Sequence, residues 1–180
     1  MKIIKWILII LVIIIAVPLI SALFIKKDYS VEREITINKP KQQVYDYVKF
    51  LKNQNDFSKW ALMDPHMRKT FTGTDGTPGF ISAWESDSSD VGKGEQEIKS
   101  MKDGERIDYE IRFIKPFEST SSAYMTTESA GPEQTKVKWV FYGKMPYPMN
   151  LMTVVMNMDE AVGNDLSTGL KNLKNIVEKK

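Results

Sequence analysis

The chain contains no cysteine and a single histidine, His66. The first absence excludes a disulfide scaffold, a thiolate metal site and a cysteine nucleophile. The second excludes zinc sites that need two or more histidines, leaving only carboxylate-based metal sites. Charge of one sign is also scarce: 25 basic side chains stand against 23 acidic ones. Lys2 and Lys5 are the only charged residues among the first 25, so the rest of the chain is balanced. A neutral domain lacks the positive field of a nucleic-acid binder, and no nucleic-acid partner is expected. What is present is an ordinary globular balance, 42% apolar and 27% charged over 180 residues. That length fits one domain, or one domain plus an anchor.

The usual signatures of chemistry are missing too. No Gly-x-Ser-x-Gly nucleophile elbow occurs. Gly73, Gly76 and Gly79 are not followed by Lys-Ser/Thr or by a helix, so they read as turn residues and not as a phosphate loop. Asp87-Ser-Ser-Asp90 lacks the spacing and terminal Glu of a calcium loop and reads as a solvated hairpin tip. His66 follows Asp64-Pro65 at a loop-to-strand boundary. A general base needs a positioned partner, and His66 reads as a loop histidine. No catalytic residue, metal ligand or cofactor is therefore assigned.

One long apolar run stands out. Residues 6–25 are apolar apart from Pro18 and Ser21. At about 1.5 Å per residue they span roughly 30 Å, the thickness of the hydrocarbon core. A cleaved signal peptide would have a shorter apolar region, of about 7–15 residues, and a small-x-small site. Cleavage after Ala22 would put Ile20 at the −3 position. With no cysteine following, a lipoprotein is excluded. The expectation is a tail over 1–5, a transmembrane anchor over 6–25, a linker over 26–30 and a domain over 31–180. Lys2 and Lys5 favour a cytoplasmic N-terminus, although Lys26 and Lys27 blunt that signal. The domain is thus expected on the extracytoplasmic side of the membrane, as a monomer.

Beyond the linker the pattern is α+β. Val31-Glu-Arg-Glu-Ile-Thr-Ile37 alternates as a strand does. Asn38-Lys-Pro40 offers a helix cap and a first-turn proline. Val44, Tyr47, Val48 and Leu51 follow at helical spacing, and 53–60 suggests a second helical turn. Strand-like stretches cover 67–72, 79–85, 96–101, 106–114, 119–127 and 135–142, with Asp103-Gly104 and Gly131-Pro132 at turns, which predicts an antiparallel meander. Met152, Val155, Val162, Leu166, Leu170, Leu173 and Val177 then lie on one stripe, predicting a single helix from about 149 to 179, some 45 Å long. Gly163 and Gly169 inside it each cost about 1 kcal/mol of helix propensity. Close packing against the sheet is one explanation.

This order carries a set of motifs: Phe57-Ser-Lys-Trp60, Met63-Asp-Pro65, the Gly73, Gly76, Gly79 spacing, Trp84, and Gly92-Lys-Gly94 with Ile98. Arg106-Ile107, Phe113-Ile-Lys-Pro-Phe117, Thr135-Lys-Val-Lys-Trp139 and Gly143 follow. Met158-Asp159, Gly163 and Gly169-Leu170-Lys-Asn-Leu173 complete the set. Over nearly all of 30–178 the sequence resembles the START-like (SRPBCC) superfamily, in its polyketide cyclase/dehydrase and lipid-transport branch. The resemblance implies a helix-grip fold, a curved antiparallel sheet around a long C-terminal helix with an apolar cavity between them. A shared fold does not carry one chemistry.

Alternation places Ile107, Tyr109, Ile111 and Phe113 on one face and Arg106, Asp108, Glu110 and Arg112 on the other. Val137, Trp139 and Phe141 share a face, as do Phe80, Ser82 and Trp84. The sheet therefore has an aromatic side and a charged side, and the helix stripe needs the aromatic one. That side is either packed core or a cavity wall; Tyr109, Trp84 and Trp139 each add a polar handle. The methionines at the start of the helix can adapt to irregular ligands or fill the core. Asp159 falls on the apolar stripe, where a carboxylate needs a partner. The candidate ligand-binding residues are Trp60, Trp84, Tyr109, Phe113, Trp139, Met152, Met156 and Asp159. The expected function is membrane-tethered binding or transport of a small apolar ligand or lipid. A cyclase or hydrolase using the same cavity is the alternative, against which the missing nucleophile–base pair argues. An interaction module with a filled core is the third reading.

Overall fold

The computed structural model describes residues 2–180; Met1, the first residue of the expected tail, lies outside them. Helix α1 (Lys2–Phe24) takes in the rest of that tail and carries Pro18 inside it. β1 (Asp28–Ile37) begins three residues before the alternating segment, because Asp28, Tyr29 and Ser30 pair with Lys144, Gly143 and Tyr142. α2 (Lys41–Val48) follows. Asn38 does not cap it: its N–H donates to Glu178 Oε1 at 2.6 Å, its Oδ1 accepts from Gln134, and Pro40 holds the N-cap position. A 3₁₀ turn at Leu51–Asn53 leads into α3 (Gln54–Phe57) and α4 (Lys59–Leu62).

Six strands come next: β2 (Arg68–Thr72), β3 (Ile81–Glu85), β4 (Lys93–Lys102), β5 (Arg106–Lys115), β6 (Ser119–Gly131) and β7 (Gln134–Lys144). They form one antiparallel sheet in the order β1-β7-β6-β5-β4-β3-β2. Each neighbour except the β1–β7 pair is joined by a hairpin or short loop, as the turn residues require. Gly104 supplies the positive φ (+69°) of the β4–β5 turn, a conformation that costs glycine nothing.

Register separates the two faces. Tyr109 lies opposite Ala123 and Ile98, Trp139 opposite Met125, Val31 opposite Phe141, and Trp84 opposite Gly94. These form the inner face. The outer face carries the charges, among them Arg112, which donates to Glu95 (2.6 Å), Glu97 (2.7 Å) and Glu110.

The C-terminal stripe is not one continuous helix. A 3₁₀ turn at Met149–Leu151 and α5 (Met152–Val155) precede a break, and α6 (Met158–Lys179) begins after it. Asn157 makes the break, at φ +43°, and its side chain accepts the N–H of Glu160. Asparagine tolerates this conformation and is a favoured N-cap, so the same residue stops one helix and starts the next. The 22 residues of α6 span about 33 Å. Leu166, Leu170, Leu173 and Val177 are buried as the stripe predicts, while Val155 is exposed and Met152 only half-buried. The core lies between the inner face, α6 and the α2–α3 segment, with Val44, Tyr45, Leu51, Phe57, Phe80, Ile98 and Ile107 inside it.

Candidate functional site

α6 packs chiefly on β1 and also meets β7, α3 and α4. Its two interior glycines are where it comes closest. A Cβ on Gly169 would fall 2.8 Å from the Trp139 ring, and one on Gly163 would fall 2.0 Å from the Arg33 guanidinium. Trp139 is 4% exposed and meets Phe57 and Trp60 edge-on, with ring centroids 5.8 and 6.2 Å away. This half of the inner face is closed.

The other half, toward the Asp28 end of the sheet, is less covered. Trp84 and Phe113 meet edge-on at 6.1 Å and are half-buried, as are Ser82, Gln96, Ile111 and Ser121 on the same face. Gly94 lets the Trp84 ring lie against β4, since a Cβ there would sit 2.5 Å from the indole. The Trp84 indole N–H donates to the carbonyl of Val91 at 3.3 Å, which fixes the ring beside the β3–β4 loop. An aromatic pair with a few neutral polar groups is the composition of a site for an apolar ligand.

The eight candidate residues thus divide. Trp84 and Phe113 come together on the open part. Trp139 and Tyr109 (2% exposed) are deep in the core, and Trp60 lies half-buried at the edge of the Trp139 cluster. Burial pushes the Tyr109 phenol well above its ordinary value, a rise that the neighbouring Gln54 amide only partly offsets. Met152 is half-buried and Met156 exposed, both before the helix break. Asp159 is exposed and pairs with Arg33 of β1. His66 is exposed on the loop before β2, its N–H donating to Asp64 Oδ1 at 2.8 Å. Among the described residues no cluster of three or more His, Asp or Glu could hold a metal.

Two features escaped the reading of the sequence. Arg33 shares the inner face of Val31 and Ile35, a misplaced charge that alternation alone reveals. Tyr124 and Tyr142, which alternation sends outward, meet at 6.0 Å on the charged face, and the Arg106 guanidinium lies 3.6 Å from the Tyr124 ring centre. Depressions of about 390 and 380 Å³ share Tyr142, Thr120, Ser121 and Ser122; Asp28 and Lys144 border the first, and Arg106 and Asp108 the second.

The comparisons with known proteins agree with this geometry. A family model described as polyketide cyclase/dehydrase and lipid transport matches residues 28–178. The chain belongs to that family. Its first matched residue is also the first residue of β1. No curated protein matches the chain. Among solved structures, a protein from Thermobifida fusca is 15% identical, with 83% of this chain and 93% of that one covered at a TM-score of 0.57. Norcoclaurine synthase from Thalictrum flavum, solved with dopamine and hydroxybenzaldehyde, is 8% identical over 84% of this chain and 87% of its own, at a TM-score of 0.62. The di-domain ARO/CYC StfQ of the steffimycin biosynthetic pathway is 10% identical over 85% of this chain and 51% of its own, at 0.61. At these identities the likeness establishes the helix-grip fold and nothing further.

Proposed function

We propose that this family member binds a small apolar molecule or lipid in the open part of the inner face, and does so tethered to a membrane by α1. The observation that carries the reading is the half-buried Trp84–Phe113 pair with Ile111, Ser82, Gln96 and Ser121 beside it, on a face otherwise filled by core. Covering about 300 Å² of apolar ligand surface there would contribute roughly 7 kcal/mol before the costs of association. The family's own description, which includes lipid transport, supports a ligand of this kind.

The tether rests on α1. Within Ile3–Phe24 an 18-residue stretch has a mean hydropathy of 3.3, and only 6% of that stretch is buried in the fold. A helix apolar all round and uncovered by protein is suited to a bilayer. The domain, 31–180 as the alternation marks it and from Asp28 by its strand, is monomeric in this reading and extracytoplasmic.

Binding is favoured over catalysis because Ser82, Gln96 and Ser121 do not exchange protons near neutral pH. A reaction would need a base beside them, and the lone histidine is exposed elsewhere. The experiment is titration of the full chain, in nanodiscs, with a fluorescent fatty acid, together with native mass spectrometry of co-extracted molecules. Saturable binding displaced by unlabelled lipid is expected. Absence of binding to every lipid tried, with no co-purified molecule, would leave the interaction-module reading in its place.

A further inference from the structure

The exposed apolar side chains of the domain are unevenly distributed. Among the described residues of the domain, the five large apolar side chains that are more than half exposed all lie at one end of the sheet, where β1 and β3 to β7 have the ends nearest Asp28. Phe117, 80% exposed, is on the β5–β6 turn; Met149, Val154, Val155 and Met156 are on the segment between β7 and α6. Phe24, 85% exposed, closes α1 at the same end.

The segment is fixed to the foot of α1. Asn150, fully buried, donates its side-chain amide to the carbonyls of Ala22 (2.6 Å) and Ile25 (2.8 Å). The Met145 N–H donates to Lys27 at 2.8 Å. Lys26 and Lys27 follow the apolar helix there, where long basic side chains snorkel to the headgroups. Large apolar side chains left in water and continuous with a spanning helix are what an interfacial segment presents to the headgroup–acyl boundary.

We infer that this rim, Phe117 together with Met149, Val154, Val155 and Met156, is seated in the bilayer interface, so that the Trp84–Phe113 end of the inner face opens toward lipid. The inference rests on the membrane-tether reading. It commits to the lipid surface as the occupant because the rim continues the apolar surface of α1 past its last residue.

The absence of cysteine makes a clean test possible. An environment-sensitive fluorophore is attached singly to Val155→Cys, Phe117→Cys, Ile13→Cys in α1 and Glu133→Cys at the opposite end of the sheet. The full chain is placed in phosphatidylcholine–phosphatidylglycerol vesicles, and quenching by nitroxide lipids is compared with quenching by aqueous iodide. Expected are a blue shift and lipid quenching at positions 13, 117 and 155, and iodide quenching alone at 133. Lipid quenching at 13 with iodide quenching at 117 and 155 overturns the inference while the tether stands. Protection of 117 and 155 from both quenchers means that protein covers the rim, and also overturns it. Absence of lipid quenching at 13 overturns the tether and the inference together.

Discussion

Arg33 on β1 and Asp159 on α6 are partners across 126 positions of sequence: guanidinium nitrogens donate to Asp159 Oδ1 at 3.0 Å and Oδ2 at 2.9 Å, and to the Asp159 carbonyl at 2.8 Å. Each is out of place alone, a charge on the apolar face of a strand and a carboxylate on the apolar stripe of a helix. Together they seal the start of α6 against the sheet. The arginine holds the Asp159 carboxyl below the usual carboxylate range. A lowered carboxyl pKa means that this stabilisation is present above the unfolded value and is lost as pH falls through the folded one.

Gly163 makes room for the pair, and its replacement separates packing from propensity. Gly163→Ala gains about 1 kcal/mol of helix propensity but drives a Cβ to 2.0 Å from the guanidinium, so Arg33 must swing away from Asp159. In an Arg33→Ala background the obstruction is gone. Thermal unfolding should show Gly163→Ala neutral or destabilising in the parent chain and stabilising in Arg33→Ala. The same sign in both backgrounds would refute the steric account.

Much of this was legible in the sequence. Period-two alternation assigned the inner and outer residues of β5 and β7, because one face is buried and a one-residue slip would expose it. The stripe from Val162 to Val177 gave α6 for the same reason. Its extension back to Met149 failed at Asn157: periodicity does not register one residue at positive φ, although an asparagine three before a glutamate is a helix-start signal. The site was only half legible. Alternation tells which face Tyr109, Trp139, Trp84 and Phe113 share, but not where along that face α6 lies. α6 covers the β1–β7 side and makes core of Trp139, the α2–α3 segment with Tyr45 and Gln54 makes core of Tyr109, and Trp84 and Phe113 are left half-open.

That division gives a second test. Trp139→Ala should cost about 3–5 kcal/mol of stability, the range for a large aromatic lost from a packed core. Trp84→Ala and Phe113→Ser should weaken fatty-acid binding with a much smaller shift in melting. Equal effects of Trp84→Ala and Trp139→Ala on melting, with unchanged binding in the Phe113 variant, would remove this pair from the site.

Alkaline stability should report Tyr47. Its phenol is pushed up to about 12, by burial first and by Asp56 next, to which its hydroxyl donates at 3.1 Å. The unfolded chain ionises this phenol near 10, so the unfolded state releases its proton first. Stability from this group is present below about pH 10 and lost between there and about 12. Tyr47→Phe should cost about 1 kcal/mol at neutral pH for the lost hydrogen bond and flatten the decline between pH 10 and 12 in urea titrations. A decline as steep as in the parent would place its cause at another tyrosine.

Asn150 should control how firmly the apolar rim is held to the foot of α1. Its amide satisfies two carbonyls at the end of that helix, where the intrahelical pattern leaves acceptors without partners. Asn150→Leu removes both bonds, and leaving buried acceptors unpaired costs roughly 1–3 kcal/mol. The cost should be local, because the sheet and α6 hold their own core without this residue. Hydrogen exchange on the full chain in nanodiscs should speed up in 145–156, beginning with the Met145 amide bonded to Lys27, while β5 and α6 keep their protection. Asn150→Asp should loosen the segment at least as much, since a carboxylate facing two carbonyls offers no donor. Unchanged exchange in both variants would show that the rim is held by its apolar contacts alone.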